Sequence, residues 1–112
     1  MNAIQLKYLT DIKIAISDLE SCISNVDGFE AFSKDFSLKR VAERQFEIIG
    51  EALKKYSNTE SAINIQHSKK IIGLRNIIAH AYDSIDYVLL WSIIKIDLPF
   101  LKIEIDSLIK TS

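Results

Sequence analysis

Cysteine, proline and tryptophan each occur once in this chain of 112 residues, histidine twice and glycine three times. A single cysteine, Cys22, excludes an internal disulfide and suits a reducing compartment, so a cytoplasmic protein is expected. In its apolar neighbourhood that thiol is expected as a small core residue rather than a nucleophile. Two histidines, one cysteine and no Glu-x-x-His argue against a zinc or di-iron centre, and neither metal nor other cofactor is expected. No glycine-rich phosphate loop follows a strand pattern. An excess of one charge is also missing: 14 basic against 15 acidic residues leave a net charge of -1. No global positive field therefore gathers nucleic acid, and any such contact must come from local cations. The longest apolar run, residues 88–94, is broken by Ser92 and is far too short to span a bilayer. Gln5, Lys7 and Asp11 interrupt the start and argue against a secretory signal, so no membrane partner is expected.

What is present is helical periodicity over an apolar content of 48%. Ile4, Tyr8, Ile12, Ile16, Leu19 and Ile23 recur at three- and four-residue steps and predict a first helix over about 4–24, closed by Gly28. Phe29, Phe32 and Phe36 are expected to plug the end of a bundle from a loop or single helical turn. A second helix is predicted from after Asp35 or Ser37 to about residue 56, buried through Val41, Phe46, Ile48, Ile49, Ala52 and Leu53. A polar break at 57–68 precedes a third helix over 69–82, with Ser68 as its expected N-cap and His67 as an exposed loop residue. Asp83-Ser84 can cap a last helix, whose inward side is read as Leu89, Ile93 and Ile96, then Leu101, Ile105 and Leu108. Pro99 has no amide hydrogen to continue the ladder and is expected to kink that helix. The fold class is all-α, an up-down bundle of four to five helices in one domain spanning 1–112. Gly50 and Gly73 are expected where another backbone comes close, between the second and third helices or across a dimer axis.

The third helix carries the chemistry. Arg75, Asn76, His80 and Tyr82 interrupt its apolar pattern, with Arg75 and Tyr82 about 20° apart around an ideal helix axis. Asn76 and His80 are one turn apart on a neighbouring face, so a cation, an imidazole and a hydroxyl are expected to crowd one side of the helix and to share a groove. Arginine offers a fork of donors that matches phosphate oxygens, and histidine moves a proton near neutrality. That pairing suits a phosphodiester. A lone histidine would be read as a satisfied core residue; these neighbours reverse that reading only together with the family resemblance described below. The second helix sets Lys39, Arg40, Glu43, Arg44, Glu47, Glu51, Lys54 and Lys55 on its polar side. They are read first as a solvated, ion-paired face, and Arg44, Glu47 and Glu51 as supporting residues that orient the Arg75–His80 helix.

The spacing Arg75-Asn76-x-x-Ala79-His80-x-Tyr82 resembles the signature of HEPN-domain proteins of the HepT toxin type. A block at Arg44 and Glu47-Ile48-Ile49-Gly50-Glu51-Ala52, and a third at Tyr82-x-x-Ile85-Asp86, Trp91 and Asp97-Leu98-Pro99, extend the likeness in order from about Val41 onward. The chain departs from the family at His67 and Ser68, where a Pro-Trp pair is common. The resemblance implies a homodimer with the third helices around a two-fold axis, and a cleft lined by both Arg75–His80 pairs. It implies metal-independent RNA cleavage with Arg75, His80 and Asn76 as catalytic residues. It also implies a toxin–antitoxin pair, in which a cognate nucleotidyltransferase transfers AMP to Tyr82. The competing reading is a non-catalytic module that binds a nucleotide, or scaffolds the transferase, through Arg75.

Overall fold

In the computed structural model, which describes residues 1–80 and 85–111, the chain is helical and contains no strand among those residues. The helices are α1 (Ala3–Ile23), α2 (Phe29–Lys34), α3 (Phe36–Ser57), α4 (Ser68–His80), α5 (Tyr87–Ser92) and α6 (Leu98–Lys110). A π turn, Ile93–Asp97, joins α5 directly to α6, so the last two form one rod. Local chemistry fixes the ends. Asn2 and Gln5 form a reciprocal capping box at α1, which satisfies two amides that would otherwise face nothing. Asp35 caps α3 through the Leu38 amide, and Asp86 caps α5 through the Leu89 amide. Asp83 and Ser84, the expected caps, lie outside the described residues.

The neighbours run antiparallel, as cross-helix pairs along each seam show. Gln5, near the start of α1, donates to Thr59 Oγ1 and the Glu60 carbonyl beyond the end of α3. Lys13 meets Asp106 at 3.2 Å and Lys102 meets Glu20 at 2.8 Å across α1 and α6. Lys70 of α4 meets Asp97 at 3.4 Å, and Gln66, before α4, donates its amide to Glu104. This is the expected up-down bundle. Its centre is dry: Leu9, Ile12, Ile16, Phe46, Ile49, Ile71, Leu90, Ile93 and Leu101 are fully buried in one cluster. Each such side chain contributes roughly 1.5–3 kcal/mol of burial free energy.

Several expectations need correction. Ile4 is exposed and the α1 stripe starts at Gln5 and Leu9, one position round. Cys22 is exposed rather than packed. Of the three phenylalanines Phe32 alone is fully buried, its ring 5.0 Å from that of Trp91; Phe36 lies open under the Arg40 guanidinium. Val41 is half-buried, and Leu38 and Ala42 are the buried residues there. Ser68 opens α4 but does not cap it; its hydroxyl donates back to the Ile65 carbonyl. His67 is no exposed loop residue: its ring stacks on Phe100 at 5.5 Å and its Nδ1 sits 3.7 Å from Glu104. In the last rod the ladder loosens just ahead of Pro99, where the Leu98 amide reaches the Ile93 carbonyl five residues back. An i to i+5 turn advances the register, which is why Ile96 faces solvent while Leu90, Ile94 and Leu98 are buried.

Candidate active site

Ile71, Leu74 and Ile78 dock α4 on the core, one residue per turn. Arg75, the residue after Leu74, is thereby thrown toward α3, and its landing place is Gly50. A methyl group at position 50 would fall on the Cβ and Cγ of Arg75. Glycine in mid-helix costs about 1 kcal/mol against alanine, and here it gives the arginine stem room to cross. A methyl group at position 73 would meet nothing within 4 Å, so Gly73 is not part of this seam.

Beyond Gly50 the next residue of α3 takes the guanidinium. Glu51 Oε2 is 2.6 Å from Arg75 Nη2, and Arg75 Nη1 donates to Asn76 Oδ1 at 3.1 Å. Glu51 is also 3.9 Å from Lys55. The Arg75 Nε is buried and has no hydrogen-bond partner among the described residues. So α3 provides, in consecutive residues, a gap for the stem and an anion for the head.

Arg75 forms one wall of a cleft of ≈ 320 Å³ between α1, α3 and α4. The rest is lined by Lys7, Tyr8, Asp11, Arg44, Glu47, Ile48, Glu51, Ala52 and Lys55. Four cations thus face three carboxylates. Lys7 is bound by Asp11 at 2.9 Å, and that hydrogen bond, with the carboxylate's charge, holds its ammonium above the ordinary 10.5. Arg44 is exposed and Glu47 half-buried; neither has an ion-pair partner among the described residues. A lip with a free guanidinium and a second one held by a replaceable carboxylate is suited to an anionic chain.

His80 closes the described part of α4 and is exposed. It does not line the cleft. Five residues separate it from Arg75, about 140° around an ideal helix axis. One copy therefore does not aim both groups at a single point. Instead His80 shares an open face with Gly73, Asn76 and Ile77. Tyr82, the expected modification site, lies outside the described residues. At the start of α4, Lys70 is engaged by Asp97 at 3.4 Å and Lys69 is exposed.

The HepT-like ribonuclease family profile matches residues 12–108. The chain belongs to that family. A "Putative RNase" of Methanocaldococcus jannaschii is 36% identical over 101 residues, covering 88% of this chain and 91% of its own. A "Probable ribonuclease HepT" of Thermococcus cleftensis is 33% identical over 104 residues, covering 92% and 94%. No solved structure matches the chain at a comparable level of significance. Within this HepT-like chain, the residues singled out from sequence divide cleanly. Arg75, Asn76, Glu51, Glu47 and Arg44 gather at or beside one cleft, and His80 stands on the adjoining face of the same helix. The α1 contribution, Lys7, Tyr8 and Asp11, was missed. Tyr8 packs against the core as its stripe position predicts, and the antiparallel seam of α1 with α3 also sets it in the cleft with Glu47 and Glu51.

Proposed function

We propose that the protein is a metal-independent endoribonuclease, the toxin of a toxin–antitoxin pair, with Arg75 and His80 as its catalytic pair. The observation that carries this reading is the treatment of Arg75: Gly50 makes room for its stem, Glu51 fixes its head at the lip of the cleft, and His80 stands exposed five residues on. RNA carries its own nucleophile, so proton transfer and charge stabilisation suffice. His80 takes the 2'-hydroxyl proton, a role typically contributing about 10²–10⁴-fold. The 2'-oxygen bonds to phosphorus, the bond to the 5'-oxygen breaks, and a second imidazole protonates the leaving oxygen. Arg75 holds the charge of the pentavalent phosphorane, with Asn76 orienting the guanidinium. The products are a 2',3'-cyclic phosphate and a 5'-hydroxyl.

A second copy supplies the other imidazole. The 140° between Arg75 and His80 supports a site shared between protomers. The open Gly73–Asn76–Ile77–His80 face suits the close approach of a partner α4. A cognate nucleotidyltransferase would silence the toxin by modifying Tyr82: its phenol oxygen bonds to the α-phosphorus of ATP and pyrophosphate leaves. Mass spectrometry after co-expression should find a Tyr82 peptide heavier by one adenylyl group, and an unshifted peptide removes this step. For cleavage, RNA is incubated with protein in EDTA. Wild type should cut, and Arg75→Ala and His80→Ala should not.

A second reading is favoured by one observation, the prior engagement of Arg75 by Glu51 and Asn76. It makes the protein a non-catalytic, nucleotide-binding or scaffolding partner of the transferase. That version predicts no EDTA-resistant cleavage and no growth arrest on expression.

A further inference from the structure

The cleft beside Arg75 contains more than phosphate recognition needs. Arg44, Glu47, Ile48 and Glu51 lie at i, i+3, i+4 and i+7 of α3 and so share one face. Its three carboxylates are not equivalent. Asp11 is taken by Lys7, and Glu51 by Arg75. Glu47 has neither an ion pair nor a hydrogen bond among the described residues, yet it is half-buried in the same wall. Tyr8 of α1 lines the same cleft, half-buried against the core with the Lys7 ammonium 5.8 Å from its ring centre, and Ile48 adds an apolar side. Arg44, one turn from Glu47, is the unengaged cation of the group. The ≈ 320 Å³ of the cleft is at the small end of ligand pockets, which run about 300–1,000 Å³. It suits one base rather than two.

A nucleotide in single-stranded RNA presents a flat face, a donor–acceptor edge and a phosphate. Proteins read these by aromatic stacking, by hydrogen bonds to the base edge and by cations. A carboxylate accepts on two oxygens side by side. Among the four bases, guanine alone offers two adjacent N–H donors on one edge, N1–H and the N2 amino group. Adenine and cytosine offer one amino group each, beside a ring acceptor. Uracil offers one N–H between two carbonyls that repel a carboxylate.

We infer that the α1/α3 cleft is a guanine subsite for the nucleotide flanking the scissile phosphate. Tyr8 stacks on the base, Glu47 accepts from N1–H and N2–H, and Arg44 grips the adjoining phosphate. This rests on the ribonuclease reading and adds its specificity: cleavage beside guanosine in unpaired RNA. Lys7 stays bound to Asp11, which leaves Glu47 as the reading group.

The test sequences the 5'-hydroxyl ends that wild type, Glu47→Gln and Tyr8→Ala release from a randomised single-stranded RNA. Wild type should show guanosine at one fixed offset from the cut, enriched about tenfold over uridine, the discrimination one bidentate pair supports. Glu47→Gln should bring that ratio close to unity, because an amide gives up one acceptor. Tyr8→Ala should raise KM without changing which base is preferred. Cleavage with no base enrichment, or enrichment that survives Glu47→Gln, overturns the subsite and leaves the ribonuclease standing. If wild type does not cut at all, the ribonuclease reading fails. The decision then passes to equilibrium titration with GMP and UMP. GMP binding about tenfold tighter, with the ratio lost in Glu47→Gln, sustains the pocket; equal affinities end it.

Discussion

At the scale of single residues, Gly50 and Arg75 are best understood as one unit. Alanine at position 50 should favour the helix by about 1 kcal/mol. Its methyl would meet the base of the Arg75 side chain rather than a flexible tip, and overpacking of that kind costs about 1–3 kcal/mol. The clash wins. Gly50→Ala should lower stability by roughly 1 kcal/mol, read as an earlier urea midpoint, and should reduce RNA cleavage by displacing the guanidinium. A gain in stability with full cleavage would show that Arg75 does not need that gap. Arg75→Ala and His80→Ala make the sharper pair. Each should depress the cleavage rate by about 10²–10⁴-fold while the circular dichroism and the urea midpoint stay close to wild type. His80 is exposed and Arg75 lies at a cleft wall, so neither is a core residue.

Among the elements, the contact between α3 and α5 depends on an unusual buried charge. Glu43 is only 6% exposed, and its Oε2 accepts from the Tyr87 hydroxyl at 2.7 Å. Its other partner is the Arg40 guanidinium at 3.5 Å. Tyr87→Phe would leave that oxygen without its short partner and should destabilise by about 1–3 kcal/mol. The hydrogen bond to Glu43 comes first, with burial and the carboxylate's charge behind it, in holding the Tyr87 phenol above its ordinary 10.0. A raised value means the fold favours the neutral phenol. The contribution is therefore complete below pH 10 and is lost as pH climbs through the folded-state value. Urea midpoints at pH 8 and pH 11 should fall further for wild type than for Tyr87→Phe; equal losses would mean that this contact does not titrate with folding. The last rod shows a different device. Pro99 lacks an amide hydrogen, and the π turn just before it lets the ladder change spacing without ending the helix.

For the whole molecule the question is whether one copy suffices. Arg75 and His80 point about 140° apart on α4, so a shared site makes a specific prediction. Wild-type and His80→Ala proteins are mixed in equal amounts, unfolded and refolded together, so that half of the dimers are mixed and keep a single imidazole. About a quarter of the all-wild-type cleavage should remain if each cut needs an imidazole from both protomers. A remainder of about one half would confine the catalytic groups to a single chain. A companion variant, Ile77→Glu, puts charge on the open face of α4 and should shift the protein to monomer in light scattering, with loss of cleavage. A dimer unaffected by that charge would move the interface elsewhere, and a monomeric wild type would remove the shared site altogether.

Apolar periodicity in this sequence was enough to determine an all-α bundle, because isoleucines and leucines at three- and four-residue steps can be buried together only on helices. It also marks α4 as the helix whose apolar pattern is interrupted by a cation, an amide and an imidazole. The family likeness was legible in those same residues. Which flank of a helix faces in is less legible: the sequence pattern puts Ile4, Cys22 and Ile96 inward, and all three stand exposed. One residue of register is about 100° of rotation, and a π turn is not written in hydropathy. Only the tertiary structure brought Tyr8, Glu47 and Arg75 to one cleft, Glu51 to the guanidinium, and the Arg75 stem to Gly50. Those contacts join positions far apart along the chain, and the antiparallel seams of α1, α3 and α4 decide them, because spacing within one helix says nothing of what stands across from it.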